Sequence, residues 1–303
     1  MDRPLRIGTR ASPLALAQAH LVAAALCAAH KWEKDRVEIV PITTTGDVIQ
    51  DRPLAEVGGK QLWTKELDRC LLDGRTDLSV HSMKDVETLR PDALVITAMM
   101  QRADPRDRLI GPRQLEDIAA GALLGTSSPR RTAQVRARRP DLQVVPIRGN
   151  VGTRLARLER GEVAATLLAA AGLDRLGMHD VGTVMDDMLP APSQGAVGIE
   201  TRTADLDVRA LIEPVDHRET HLAVDAERAF LAAIGGDCRS AVAAHARCEG
   251  GEMHLRAEIL LPDGSEVVAG ETRFPAGEAA EPAILARDVL GRASLPLREM
   301  FAA

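Results

Sequence analysis

Leu5-Arg6-Ile7-Gly8-Thr9, followed by Ser12-Pro13, returns near the middle of the chain as Leu123-Leu124-Gly125-Thr126-Ser127-Ser128-Pro129. Each copy reads as a short buried strand ending at a glycine, then a helix capped by serine with proline in its first turn. The first helix is expected to run to about His30 and the second to about Arg138. The echo continues in order: Ala17-Gln18 against Ala133-Gln134, Val40-Pro41-Ile42 against Val145-Pro146-Ile147, and Gly46-Asp47 against Gly149-Asn150. Each copy then has an amphipathic helix ending at Gly74 or Gly161, and a second buried strand, Leu78 to Val80 or Ala165 to Leu168. Gly-Thr and Ser-Pro alone are ordinary helix starts. Repetition in the same order predicts two α/β lobes of βαβ type. A cleft between such lobes is the expected ligand site, with a capped helix N-terminus from each lobe aimed at it as an anion-binding end.

From His217 the texture changes. A helix is expected from about Glu219 to Ile234, stopped by Gly235-Gly236. Alternation follows at Ala241 to Arg247 and Met253 to Ile259, and Pro262-Asp263-Gly264 turns into Val267-Val268, predicting an antiparallel hairpin. Helices from about Glu281 close the chain. Val197-Gly198-Ile199-Glu200 reads as a strand that crosses back into the first lobe. The fold class is therefore α/β: two periplasmic-binding-protein-like βαβ lobes around a cleft, plus a small C-terminal α+β domain. The expected division is 1–99 with 196–215, then 100–195, then 216–303, which suits a chain of 303 residues.

Apolar content of 45% with 27% charged residues belongs to a globular protein, and at a net charge of −6 no overall basicity argues for nucleic acid or a membrane surface as partner. The charge is uneven. Between Pro129 and Arg160 stand nine arginines, no lysine, and only Asp141 and Glu159 in opposition. No aromatic residue accompanies them, so base stacking is not on offer, and a small polyanionic ligand is expected. The four cysteines (27, 70, 238 and 248) form no C-x-x-C pair. The N-terminus offers no hydrophobic signal segment, and no apolar run is read as reaching the ~18 residues a membrane helix needs. A reduced, cytoplasmic setting is expected.

Several residues carry chemistry. His81-Ser82-Met83-Lys84-Asp85 follows the buried run at a strand end, where α/β sheets bind ligands. Lys84 can hold a carboxylate or phosphate as a point charge, and Asp85 can move a proton or face a developing cation. A Lys-Asp pair taken alone is usually solvated surface. Arg130 and Arg131 stand in the first turn of a helix, where cations oppose the dipole, and a bound anion is the simplest explanation. Arg148, Arg154 and Arg10 take matching positions at strand or helix ends, whereas Arg136, Arg138 and Arg139 fall late in their helix and read as a solvated face. Gly58-Gly59-Lys60 fails as a P-loop, because Leu54 and Gln61 stand where glycine and Ser or Thr are needed. The stretch from about Thr45 to Gln61 reads instead as a mobile lid, with Trp63 as an aromatic wall. His217 and His221 have the i, i+4 spacing of metal ligands, but no third ligand follows in a known pattern and no metal is expected. Cys27 and Cys70 read as core. Cys238, in a loop between Asp237 and Arg239, reads as either reactive or merely exposed.

The ordered set Ile7 to Leu16, Gly46-Asp47, Val57-Gly58-Gly59-Lys60, His81 to Val86, Asp104-Pro105-Arg106-Asp107, Gly125 to Ser128, Arg130-Arg131, Arg148 to Arg154, Gln194-Gly195-Ala196 and Glu227-Arg228-Ala229 leading to Cys238 resembles the hydroxymethylbilane synthase (porphobilinogen deaminase) family over essentially the whole chain. The resemblance implies a transferase of tetrapyrrole and heme biosynthesis that joins four porphobilinogen molecules head to tail, releasing ammonia, on a dipyrromethane primer held by a thioether to Cys238. It implies Asp85 as the catalytic acid, stabilising the positive charge that develops on pyrrole nitrogens as ammonia leaves. Cofactor contacts are implied at Cys238, Lys84, Asp85, Ser127, Ser128, Arg130, Arg131 and Gly149. Substrate contacts are implied at Arg10, Ser12, Gln18, Arg148, Arg154, Arg175, Lys60 and Trp63, and a monomer without metal, nucleic acid or membrane partner is expected. His81 then recedes to a structural role.

The chain departs from the family pattern at Glu87 for proline, Pro129 for leucine, Ser193 for glycine, Asp237 for glycine, and in lacking a proline across Arg239-Ser240-Ala241. None removes a needed charge. The rival reading is a non-enzymatic two-lobed small-anion binding protein, which would be expected to carry a signal peptide or helix-turn-helix and would have no use for Cys238. A metal hydrolase built on His217 and His221 lacks its remaining ligands.

Overall fold

The computed structural model describes residues 3–44, 64–237 and 239–301. The expected lid over 45–61, with Lys60, and also Trp63 and Cys238, lie outside the described residues. In chain order the strands are β1 (Leu5–Arg10), β2 (Val37–Ile42), β3 (Leu78–Ser82), β4 (Leu94–Met99), β5 (Asp107–Ile110), β6 (Leu123–Gly125), β7 (Gln143–Val145), β8 (Ala165–Ala169), β9 (Thr183–Met185), β10 (Val197–Arg202), β11 (Val242–Glu249), β12 (Glu252–Leu260) and β13 (Val267–Pro275). The helices are α1 (Pro13–His30), α2 (Lys65–Leu72), α3 (Pro129–Arg138), α4 (Val151–Glu159), α5 (Ala170–Arg175), α6 (Leu206–Ile212), α7 (Arg218–Ala233), α8 (Glu281–Arg292) and α9 (Leu295–Glu299).

By internal packing the chain divides into residues 1–103 with 196–221, and residues 104–195 with 222–303. In the first unit the sheet order is β2-β1-β3-β10-β4. β1 runs parallel to both β2 and β3, while β10 lies antiparallel between β3 and β4. Leu5, Ile7, Leu78, Val80, Val197 and Ile199 meet Ala19, Val22 and Leu26 of α1 in one core. α1 begins as its sequence predicts: the Ser12 hydroxyl accepts the Ala15 N–H at 3.3 Å and Pro13 takes the first turn. One expectation needs correcting. At 18 residues and mean hydropathy 1.4, α1 is long and apolar enough to cross a membrane by length and composition. Its buried stripe of Ala15, Gln18, Ala19, Val22 and Leu26 faces the sheet, with Ala19, Val22 and Leu26 in the sheet's core.

In the second unit the order β7-β6-β8-β5-β9 repeats the first spatial order strand for strand, with β5, which opens its lobe in the chain, as the antiparallel insert in place of β10, which closes the other. The internal echo is therefore an echo of spatial strand order. The same unit holds the antiparallel meander β11-β12-β13. That meander buries Leu255, Ile259 and Phe274 against Phe230 of α7 and Leu285 and Val289 of α8. It extends the expected hairpin by the alternating segment before it.

Candidate active site

In the first unit β1 and β3 run parallel, so their carboxyl ends open on the same side. β3 ends at Ser82 and the chain turns at once through a 3-10 turn, Met83–Asp85, that presents Lys84 and Asp85. A small concavity there is lined by Arg10, Ser12, Gln18, Thr64, Ser82 and Asp85 among others. Gln18, almost fully buried, fixes one wall by donating from Nε2 to Ser82 Oγ at 2.8 Å. A guanidinium, a carboxylate and several hydroxyls thus share one small basin, suited to a ligand bearing both carboxylates and an amine.

Beneath it lies a charge network that sequence reading missed. His81 Nε2 is 3.0 Å from Glu200 Oε2, and Arg90 donates to Glu200 (2.7 and 3.0 Å), Asp68 (2.6 Å) and Glu87 (2.5 Å). Burial alone would raise the Glu200 carboxyl, but His81 and Arg90 overcome that and hold it at about 2. Burial raises Asp68, against the pull of Arg90. Glu87, the departure from proline, accepts from the Thr64 hydroxyl at 2.9 Å as well as from Arg90, so an ion pair shapes the loop after Asp85. His81, though it borders the concavity, spends its Nε2 on Glu200, as its structural role predicts.

In the second unit the Ser128 hydroxyl caps α3 by accepting the Arg131 N–H at 3.4 Å, and Ser127 Oγ donates to Ile147 O at 2.9 Å. Gly149 has φ +104°, and a Cβ there would fall 2.7 Å from Thr153, so glycine is required. Asn150 caps α4 at Thr153, and Arg154 Nε donates to Gly149 O at 3.0 Å beside half-buried Arg148. Arg175 donates to Gly195 O at 2.7 Å; burial pulls its guanidinium down and the Asp174 charge opposes.

The first-turn position of Arg130 and Arg131 calls for an anion, and the chain itself supplies one. Asp107, fully buried on β5, takes Arg130 Nη1 at 2.5 Å and Arg131 Nη2 at 2.6 Å. Gln194 Nε2 adds a third bond at 2.7 Å. Burial alone would raise Asp107, but the two guanidiniums hold its carboxyl far below the usual range. Two cations on one carboxylate leave an excess of positive charge. Among the described residues neither Arg130 Nε nor Arg131 Nε has a partner. Such a cluster suits further carboxylates.

Other expectations sort simply. Arg136, Arg138 and Arg139 are not a merely solvated face: Arg136 donates to Pro262 O, Arg138 to Asp187 O, and Arg139 to Leu115 O. His217 Nδ1 faces the Thr220 hydroxyl and His221 Nδ1 faces Asp216 at 2.7 Å. Cys70 is buried and Cys27 partly so. Asp237 accepts the Arg239 N–H at 2.8 Å and pairs with its guanidinium at 2.7 Å. Buried Glu227 accepts the Ser193 and Ala246 N–H groups at 2.6 and 2.7 Å. Asp107, Gln194 and Glu227 stood inside motifs read for their neighbours, Gln134 stood in the internal echo opposite Gln18, and Glu258 carried no signal beyond its place in an alternating strand.

Among known proteins, the chain is matched by two family models: porphobilinogen deaminase, dipyrromethane cofactor-binding domain, over residues 5–210, and porphobilinogen deaminase, C-terminal domain, over residues 221–290. It is 56% identical to the porphobilinogen deaminase of Sphingopyxis alaskensis over 99% of this chain and 98% of that one. Solved structures resemble it more remotely. A TRAP periplasmic solute binding protein from Desulfovibrio salexigens is 11% identical with TM-score 0.43, covering 73% of this chain and 74% of that one. Immunogenic lipoprotein A from Vibrio vulnificus is 13% identical with TM-score 0.43, covering 74% and 99%. Neither likeness bears on chemistry. The sequence matches do, and they reach from the first strand to the last long helix: the chain belongs to the porphobilinogen deaminase family.

Proposed function

We propose how this chain's own residues carry the activity its family membership brings, the stepwise head-to-tail condensation of four porphobilinogen molecules into hydroxymethylbilane with release of ammonia. The observation that carries the reading is the shared basin of Asp85 and Arg10 at the end of β1 and β3. Arg10, with Ser12 and Gln18, holds carboxylate arms of the substrate. Asp85 faces the pyrrole nitrogen as ammonia departs, where a carboxylate in a partly desolvated site is worth far more than in water. It also moves the protons that the substitution releases. Lys84 adds a point charge beside it.

The donor set of the second unit fits a polycarboxylate cofactor: two buried guanidiniums sharing one acid, and Arg175 held by a backbone carbonyl. Ser127, Ser128, Arg130, Arg131 and Gly149 would hold the dipyrromethane, with Cys238 as its covalent anchor, and Arg148, Arg154 and Arg175 would take substrate carboxylates. When bound, the dipyrromethane supplies the pyrrole end from which the product grows. Lys60 and Trp63 belong to the same proposal. So do a monomeric, cytoplasmic protein acting on small molecules alone and the three-domain division at 1–99 with 196–215, 100–195 and 216–303, which three sheets with separate cores support.

Replacing Asp85 by Asn removes the charge and keeps the shape. The variant is expected to retain the cofactor's added mass while turnover falls at least about a hundredfold. Turnover near that of the parent would remove Asp85 from the catalytic role.

A further inference from the structure

The helix that carries Arg130 and Arg131 is braced by the C-terminal sheet. The β12–β13 turn lies on α3: Arg136 Nη1 donates to Pro262 O at 3.0 Å. Gly264, at φ +77°, leaves no room for a Cβ, which would fall 2.7 Å from Arg136 C and 2.8 Å from Ala133 O. Leu260 and Ala241 close on Ala133 in a small apolar cluster. Through this contact one acidic residue of β12, half-buried Glu258, reaches the arginine cluster. Its Oε1 accepts from Gln134 Nε2 at 2.5 Å, and the other end of that amide, Oε1, accepts from Arg130 Nη1 at 3.1 Å. Gln134 also donates to Leu189 O at 2.8 Å, which locks the amide in this orientation.

Carboxylate, amide and guanidinium therefore stand head to tail. The amide dipole points the same way as the field between the two charges, so each link strengthens the next. Gln194 makes the matching relay on the other side, donating to Asp107 and accepting from Arg130 Nη2 at 3.3 Å. Asp107 neutralises one of the two guanidiniums. The second has no carboxylate of its own among the described residues except Glu258, at one amide's remove. Glu258 also acts on Arg130 directly through its charge, against the effect of burial.

We propose that Glu258 is the second counter-charge of the Arg130–Arg131 pair, delivered through Gln134, and that it sets how strongly the pair holds the carboxylates of a pyrrolic ligand. The inference rests on the reading that Arg130 and Arg131 hold such carboxylates. Glu258 is a positioning and tuning residue, since it touches no ligand itself. Its charge weakens ligand binding while it keeps the buried arginines tolerable before the ligand arrives. The C-terminal domain thus acts on the arginine cluster as well as supplying the anchoring cysteine.

The test uses the full chain with Cys238→Ser, which cannot attach the cofactor, and measures by calorimetry and by thermal shift the binding of a free dipyrromethane bearing acetate and propionate arms, the ligand assigned to Arg130 and Arg131. Glu258→Gln keeps the acceptor and removes the charge; the dipyrromethane should bind about three- to tenfold more tightly, while the ligand-free chain melts lower. Glu258→Asp, which keeps the charge, should stay within about twofold of its parent. Arg130→Gln should weaken binding by at least about tenfold. Unchanged or weaker binding in Glu258→Gln, with Arg130→Gln still impaired, overturns the proposal and leaves the underlying reading standing. Unchanged binding in Arg130→Gln overturns both. Should the Cys238→Ser chain not fold, the loaded fraction of the Cys238 chain after a limiting dose of porphobilinogen, read by intact mass, tests the same ordering.

Discussion

Two cations in the first turn of one helix oppose its dipole, and burying them costs several kcal/mol more unless each finds an acid. Asp107 meets most of that cost and stands 23 and 24 residues away in sequence, on a different strand. The arginines were legible as anion-seeking because helix position alone makes them anomalous. Their partner was not, because nothing local links the two segments. Glu200 repeats the lesson in the first unit, 119 residues from His81. Its carboxyl is held at about 2, below the ordinary 4.5, so the folded state favours its ionised form. That contribution, on the order of 3 kcal/mol, is complete above about pH 4.5 and is lost as pH falls toward 2. Asp77, held at about 2 by Arg3 and Arg6, titrates in the same window, so the informative comparison is between parent and variant. Glu200→Gln should lower the unfolding free energy at pH 7 and flatten its fall between pH 4.5 and 2. Denaturant titrations at stepped pH check this, and parallel curves for parent and variant would count against it.

Elements were legible where a local signal sufficed. Serine caps with proline after them start α1 and α3, and the glycines at 74 and 161 follow α2 and α4. The return of the chain as β10 was readable because four apolar-rich residues are too few to stand alone, and β10 fills its place between β3 and β4. Charge networks such as Arg90 with three carboxylates were not readable, since they join α2, β10 and a loop. Ser193 marks the boundary of what residue identity can tell. It was noticeable as a departure from glycine, but only the backbone shows that it is buried at φ +65°. A side chain costs about 1–2 kcal/mol in that region, and Glu227 holds the strained amide in place by accepting its N–H. Ser193→Gly keeps that bond and removes the strain, so it should raise the unfolding free energy by about 1 kcal/mol. A lower value would show that the serine hydroxyl contributes more than its backbone costs.

At the scale of the whole molecule, the internal echo indicated the architecture and the arginine-rich second lobe a polyanionic ligand, while the chemistry came from the resemblance of the ordered motifs to a known family. The echo became two sheets of the same spatial strand order, and the family matches run through both of them and into the C-terminal domain. What stayed hidden was the way that domain engages α3 through Gly264, Arg136 and the Gln134–Glu258 pair, because packing between distant segments has no local signature. The central claim is that this chain grows a tetrapyrrole on a dipyrromethane held by Cys238. Intact mass of the purified full chain tests it most directly. The wild type should exceed its sequence mass by one dipyrromethane, and Cys238→Ser should show the sequence mass alone. A fully active wild type at its bare sequence mass would contradict the account.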